Sequence, residues 1–283
     1  MTYIPYLGTF FFSRYPSVAL ARNMFSLLLA VHGLHVTPGS GHVAAASGGV
    51  IATPAVDHEA RRLILLRTGL VAPQLHSPPV KRDAFYGNLD IPLSTEGEAE
   101  AAAAAAYICE VHADEVRYIS SSPTAASIQC AERIAQALSP RMIGGLEVLP
   151  SEQLKGFERG LWTNMTASEV DAKWGTGSVE RAHREHSYAR QVALGEGIGD
   201  VRERAIQMRD YALRGIRPGY AAVIVADLWV MRCLLAASLG CNGQELQLGV
   251  PTASVCVIDH QEESWPYAAA TELPRVVQMP FKP

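Results

Sequence analysis

The sequence predicts an α/β domain with a largely parallel central sheet. From residue 63 onward, short apolar strands alternate with longer helical patterns, as in repeated strand–helix–strand units. Hydrophobic residues make up 48% of the 283 residues and charged residues 18%, which is typical of a globular protein with a sizeable core. We therefore place the domain at residues 59–283 and treat residues 1–58 separately.

The strands and helices of this domain can be assigned in order along the chain. Residues 95–112 are rich in alanine, but Thr95 and Glu98 have the spacing of a capping box, which predicts a helix rather than low-complexity chain. Further helices are predicted over 124–138, about 166–174, about 199–215 and 229–239. Short continuous apolar runs predict buried strands at 63–67, 116–122, 221–227 and 253–259.

Three of the predicted strands end in polar or small residues. These strand tips are Arg67-Thr68-Gly69, Ser121-Ser122-Pro123 and Asp227. Ligands bind beyond the carboxyl ends of the strands in an open α/β sheet. We therefore expect the three tips to converge on one site.

The N-terminal segment, residues 1–58, is predicted to be an appendage or arm, with a flexible linker at its end. Residues 24–36 are apolar but too short and too polar to span a bilayer. Residues 37–57 are rich in Gly, Ala, Ser and Pro, a composition typical of linkers. An arm that swaps onto a second subunit, a lid and a disordered tail stay open as its role.

Charge and cysteine usage exclude several classes of function. A net charge of -4 and a pI near 6.1 argue against nucleic-acid and anionic-membrane partners. The five cysteines form no C-x-x-C pair and lie mostly in apolar runs, which indicates reduced thiols and a cytoplasmic location. We expect no cofactor and no metal site, since His183 and His186 lack an evident third ligand and are interpreted as part of a solvated helical face. The expected partner is a small-molecule substrate or ligand, and a homodimer stays open.

Seven segments carry, in order, a resemblance to a known family. They are LLRTG (65–69), FYGNLDIPLSTEGEAEA (85–101), SSSPTAASIQCAERIA (120–135), EQLKGFERG (152–160), LGEG (194–197), VIVADLWVMRCLL (223–235) and PTASV (251–255). Together they resemble the histidine phosphatase superfamily, the group of phosphoglycerate mutases and acid phosphatases. The resemblance implies a three-layer α/β/α sandwich of the phosphoglycerate mutase type, with a mostly parallel central sheet.

The resemblance also implies site residues, and here the chain departs from the family pattern. The nucleophilic histidine of the family's R-H-G falls at Thr68, and the second histidine falls at Asp227. Of the two arginines that clamp the phosphoryl group, the first is Arg67 and the second falls at Ala126. Glu152 keeps the residue type of the family's proton donor. The site is therefore that of a degenerate member without the catalytic histidines.

Two further residues are candidates for substrate binding. Arg82 lies in the family's substrate-facing loop and can supply the charge lost at Ala126, although a solvated surface arginine is the commoner case. Trp229 follows Asp227 by two residues and either closes the pocket or only packs.

The expected charges of the pocket disfavour a phosphate dianion. Phosphoryl transfer depends on positive charge around the equatorial oxygens. A pocket with Arg67 against Glu152 and Asp227 suits a small neutral or cationic polar molecule, or one that places a single carboxylate on Arg67.

Three functions stay open. The first is acid–base chemistry on a small polar molecule by a lyase, isomerase or hydrolase, with Glu152 and Asp227 as the proton-transfer pair and Arg67 orienting the substrate. Thr68 is a further catalytic candidate, but its hydroxyl needs a base. The second function is that of a catalytically silent pseudophosphatase that binds a ligand or a protein. The third is residual phosphatase activity.

Overall fold

The computed structural model describes residues 60–142, 144–185, 192–240, 243, 245–261 and 275–281, the last range by its backbone alone. The predicted appendage at 1–58 and the domain boundary that follows it lie outside these residues, as do His186 and Cys241.

The strands of the described residues form one six-stranded sheet. They are β1 (Ala60–Arg67), β2 (Val116–Ser121), β3 (Val148–Pro150), β4 (Ala221–Ala226), β5 (Val255–Gln261) and β6 (Arg275–Phe281). Their order across the sheet is β3-β2-β4-β1-β5-β6. Strands β1 to β4 pair in parallel, whereas β5 pairs antiparallel with both β1 and β6. The prediction of a mostly parallel sheet is confirmed.

The described residues contain six α-helices. They are α1 (Thr95–His112), α2 (Ala125–Leu138), α3 (Ala167–Trp174), α4 (Ser178–Arg184), α5 (Ile198–Arg214) and α6 (Leu228–Ser238). The predicted cap of α1 is one residue off, because Ser94 rather than Thr95 is the N-cap and its side chain accepts from the backbone N–H of Gly97 at 3.0 Å. A capping box does occur at α3, between Thr166 and Glu169.

The alternation of side chains along β1 divides the core into two layers. Leu63 and Leu65 pack on one face of the sheet, against residues of α5 and α6. Ile64 and Leu66 pack on the other face, against residues of α1 and α2. A strand buried on both faces reads as a continuous apolar run, which explains why β1 could be recognised from the sequence. The arrangement confirms the three-layer α/β/α sandwich.

A buried ionic network lies near the start of β1, at the other end of the strand from its polar tip. The Arg62 guanidinium donates to both carboxylate oxygens of Asp259, at 2.7 and 2.9 Å. It also donates to both carboxylate oxygens of Glu115, at 3.0 Å each. Glu115 in turn contacts the Nδ1 atom of His112. All four side chains are buried, so the network joins α1, β1 and β5 away from water.

None of the helices in the described part of the chain is long and apolar enough to cross a lipid bilayer.

Candidate functional site

A cavity of about 990 Å³ lies at the carboxyl ends of the parallel strands. The strand pairing brings the tips together, since Thr68 N donates to Ala226 O at 2.9 Å and Ser122 N donates to Val225 O at 2.8 Å. Six sequence-predicted site residues line the cavity, namely Arg67, Thr68, Arg82, Ala126, Asp227 and Trp229. The tips of β1 and β4 therefore converge on the cavity, whereas the Ser121-Ser122-Pro123 tip lies beside them and the chain reaches the wall only from Thr124 onward.

The tip of β1 is held by a close backbone contact with the start of α1. A Cβ atom at Gly69 would lie 2.6 Å from the carbonyl oxygen of Gly97, and one at Gly97 would lie 2.0 Å from that of Leu70. Both distances are shorter than any real contact, so the two positions require glycine. Glu100 of α1 also accepts from the backbone N–H of Leu70 at 3.0 Å, which fixes the chain just beyond the tip.

The Thr68 hydroxyl belongs to a small cluster of hydroxyl groups at the cavity wall. Its oxygen lies 2.7 Å from Ser127 Oγ, which also accepts from Thr124 Oγ1 at 3.1 Å. All three residues line the cavity. Among the described residues no carboxylate or imidazole contacts the Thr68 hydroxyl, so nothing there activates it as a nucleophile.

Asp227 follows β4 and caps α6. Its Oδ1 accepts from the backbone N–H groups of Trp229 at 3.0 Å and Val230 at 3.1 Å. Burial raises the pKa of Asp227, and these two hydrogen bonds and the charges of Arg204 and Arg67 oppose the shift only in part. The carboxyl is therefore easier to protonate than an ordinary aspartic acid.

Glu152 is not brought into the cavity with Asp227. It is exposed at the start of the short 3-10 helix Glu152–Leu154, and it is absent from the residues that line the cavity. The side chain of Ser151 accepts from the backbone N–H of Gln153 and caps this turn, and the chain reaches the cavity wall only at Phe157. The expected proton-transfer pair is thus not assembled in this structure.

Arg159 lines the cavity and was missed in the sequence. Arg159 is only 5% exposed. Its guanidinium carbon lies close to the centres of three aromatic rings, at 3.8 Å from Phe157, 4.8 Å from Phe85 and 5.2 Å from Trp229. Burial lowers the pKa of Arg159 to about 10, so the side chain stays charged at neutral pH. The sequence signal for this residue is the arginine of FERG, in the same segment as Glu152.

His183 is half-buried beside Arg159, so its interpretation as part of a solvated face was wrong. Its ring centre lies 4.8 Å from that of Trp229, and its Nε2 lies 3.2 Å from Arg159 Nη1. Burial and the charges of Arg159 and Arg232 lower the pKa of His183 to about 3. The imidazole is therefore neutral, and its Nε2 accepts the hydrogen bond.

The chain that carries Arg159 is held in place from behind by an ion pair. Arg204 of α5 pairs with Glu196 at 2.8 Å and donates to the carbonyl oxygen of Gly156 at 2.9 Å. Glu196 also accepts from the backbone N–H of Glu158 at 3.0 Å. Glu196 is therefore a structural acid, and it is not part of the cavity lining.

The charges that line the cavity differ from the expected set. Three arginines, Arg67, Arg82 and Arg159, face two acids, Glu96 and Asp227, which leaves one net positive charge when all are ionised. Burial lowers the pKa of Arg67, although the negative charge of Asp227 opposes this, and its Nη1 donates to the carbonyl oxygen of Val250. The sequence predicted more acidic than basic groups in the cavity, and this prediction was wrong. Arg159 lines the cavity, whereas Glu152 does not.

The rest of the wall is largely apolar. One side is formed by the chain after the β1 tip and by the loop before α1, with the side chains of Leu70, Val71, Ala72, Pro73, Leu75, Leu89 and Ile91. Aromatic rings from Phe85, Tyr86, Phe157 and Trp229 line the cavity as well. A cavity of this size with apolar walls and a few polar groups is typical of a small-molecule site.

Comparisons with known proteins agree with this architecture. Residues 63–272 match the family model of the histidine phosphatase superfamily, branch 1. No curated protein gives a significant match to the whole sequence.

Solved structures with a similar fold include enzymes that act on phosphorylated substrates. A mycobacterial glucosyl-3-phosphoglycerate phosphatase is 24% identical, with a TM-score of 0.58 over 70% of this chain and 92% of its own. A phosphoglycerate mutase from Bacillus anthracis is 16% identical, with a TM-score of 0.59 over 79% and 94% of the two chains. YhfR from Bacillus stearothermophilus is 21% identical, with a TM-score of 0.60 over 75% and 96%. At these identities the similarity establishes the fold alone.

Proposed function

Because the chain belongs to the histidine phosphatase superfamily, we propose that it is a non-phosphatase member that binds a small molecule in the inherited cavity without forming a phosphohistidine. One observation carries the proposal: the hydroxyl of Thr68, which the resemblance aligns with the family's nucleophilic histidine, contacts Ser127 rather than a base. A threonine hydroxyl is a weak nucleophile unless a base activates it.

Two more substitutions support the same proposal. In the resemblance, Ala126 falls at the family's second phosphoryl-clamping arginine and Asp227 at its second histidine, and both residues line the cavity. The first removes a cation and the second adds an acid, and phosphoryl transfer relies on positive charge around the transferred group.

We expect the purified protein to show no phosphatase activity on aryl phosphates or phosphoglycerates. Thr68 cannot form a phosphohistidine, so incubation with a labelled phosphoryl donor should leave no acid-labile phosphoenzyme. A catalytically active phosphoglycerate mutase serves as the positive control. Turnover that vanadate abolishes would contradict the proposal and favour the residual-phosphatase alternative.

A second candidate function is acid–base chemistry on the bound molecule by Asp227, with Arg67 orienting it. The observation that favours it is the raised pKa of Asp227 at the cavity wall, since a carboxyl that holds its proton more tightly than usual can act as an acid toward a bound molecule. With Glu152 outside the cavity lining, Asp227 would exchange its proton with the ligand or with solvent.

The ionisation of Asp227 can be tested without a substrate by the variant Asp227→Asn. Asparagine keeps the oxygen that caps α6, so the fold should be retained. A carboxyl whose pKa is raised on folding stabilises the folded state below its unfolded pKa and loses that contribution as the pH rises through its folded pKa. The melting temperature of the variant relative to that of the wild type should therefore increase as the pH rises from 4 to 8, by on the order of a few degrees. A difference that does not change with pH would remove the basis for acid–base chemistry by Asp227.

A cytoplasmic location is part of the proposal. Cys130 and Cys233 are free thiols buried in the core, and burial raises the pKa of Cys130 to about 11 and that of Cys233 to about 12. Unpaired cysteines of this kind are typical of proteins from reducing compartments.

A further inference from the structure

Arg159 is a buried cation that faces the cavity without a paired carboxylate among the described residues. Its contacts are three aromatic rings and the neutral imidazole of His183. Asp227 attracts it electrostatically, but Asp227 Oδ1 already accepts two backbone N–H groups of α6. Taking a charge out of water is costly unless it is paired, and aromatic faces compensate only part of that cost. The side chain is therefore prepared for an anion that comes from the cavity.

The charge of the cavity limits what that anion can be. The lining groups carry one net positive charge when all are ionised, and an ionised Asp227 would repel a second negative charge on the ligand. A guanidinium binds the two oxygens of a carboxylate with two parallel hydrogen bonds, which makes a single carboxylate a good match.

The shape and polarity of the walls limit the rest of the ligand. A cavity of about 990 Å³ is far larger than a carboxylate group. Its wall from Leu70 to Leu75, together with Leu89 and Ile91, offers mainly apolar surface, with Gln74 as the polar side chain of that stretch. The ligand should therefore carry an apolar body that this wall removes from water.

We infer that the cavity binds a small organic acid with one carboxylate and an apolar body, with the carboxylate on Arg159 and the body against the apolar wall. This inference rests on the proposed function and names the ligand class for the same cavity. Arg159 then determines which ligands bind, rather than serving only as a packing residue.

The first test compares matched probes on the wild-type protein by calorimetric titration. The probes are 3-phenylpropanoate, its amide 3-phenylpropanamide, and phenyl phosphate. We expect the acid to bind at one site about 10- to 100-fold more tightly than the amide, because only the acid forms charge-assisted hydrogen bonds. Equal binding of acid and amide, or no saturable binding of the acid at millimolar concentration, would overturn the inference.

Phenyl phosphate separates this inference from the proposed function. Tighter binding of phenyl phosphate than of the acid, without hydrolysis, would overturn the choice of ligand class and leave the proposed function standing. Hydrolysis of phenyl phosphate would overturn the proposed function itself. Weak binding without hydrolysis supports both.

The second test assigns the effect to Arg159. Arg159→Met keeps an unbranched side chain among the aromatic rings and removes the charge, so binding of 3-phenylpropanoate should weaken by about 10- to 100-fold. The matched control is Arg117→Met, since Arg117 also stacks on an aromatic ring, that of Tyr220, but is exposed and outside the cavity lining. The control should leave the affinity unchanged. Because loss of a buried arginine can affect folding, Arg159→Lys is measured too, and it should bind the acid with intermediate affinity. Wild-type affinity in a folded Arg159→Met variant would refute the assignment.

Discussion

Replacing Arg62 by methionine should lower the free energy of unfolding by about 3–5 kcal/mol, because it leaves two buried carboxylates without their cation. Glu115 and Asp259 both pair with the Arg62 guanidinium as a shared counter-ion, and Glu115 also contacts His112. Urea unfolding followed by circular dichroism measures the change. The matched control is Lys81→Met, which breaks an ion pair with Glu169 between two exposed side chains and should cost at most about 1 kcal/mol.

The loss caused by Arg62→Met should shrink when the pH is lowered. Burial alone would raise the pKa of Glu115, but the hydrogen bond with His112 and the charge of Arg62 outweigh it and hold that pKa below its ordinary value. A carboxylate of this kind stabilises the folded state above its unfolded pKa, and the contribution is lost as the pH falls through its folded pKa. A loss below about 1 kcal/mol at neutral pH would mean that the network is not sequestered from water as described.

The triple variant Thr68→His, Ala126→Arg and Asp227→His should gain phosphate binding on the order of 100-fold over the wild type, from the charge-assisted contacts of three added cationic groups. All three positions line the same cavity, which already contains Arg67 and Arg159. Calorimetric titration with inorganic phosphate near pH 6, where the added imidazoles are largely protonated, measures the gain. The Asp227 substitution also removes the cap of α6, so the triple variant should be less stable by about 1 kcal/mol.

Each single substitution should change phosphate affinity far less than the triple variant, because residues that act as a unit are not additive. Single variants at the same positions therefore serve as controls. A folded triple variant that binds phosphate no better than the wild type would show that the three side chains are not presented to one site.

The regular elements of the fold were accessible from the sequence where packing and local signals agree. The bounds predicted for helix α1 are those observed, because its polar caps and alanine-rich interior leave few alternatives.

Strands β3 and β6 were not predicted from the sequence. Strand β3 has only three residues, Val148–Pro150, so it shows no periodicity and is defined by its pairing with β2. Ser94 and Thr95 are both good capping residues, and only the backbone geometry selects Ser94.

Part of the candidate site could also be predicted from the sequence, for a different reason. Convergence of the strand tips follows from the topology of a parallel sheet, so Arg67, Thr68 and Asp227 could be brought together from the order of elements alone. Resemblance to a family gives a residue's position in the chain but not the direction of its side chain, which is why Glu152 was expected in the cavity. Arg159 became visible only when distant segments packed around it, since Phe85 and Trp229 are far from it in sequence.

The contact between Gly69 and Gly97 separates the scaffold of the site from its chemistry. The β1 tip is anchored by the backbones of these two residues and by Glu100, whereas the side chain at position 68 contributes a single hydrogen bond to Ser127. Residue 68 can therefore change identity without displacing the loop that presents it. A fold built this way can exchange the residue at position 68 and keep its architecture, so the scaffold of the site and its chemistry can change independently in evolution.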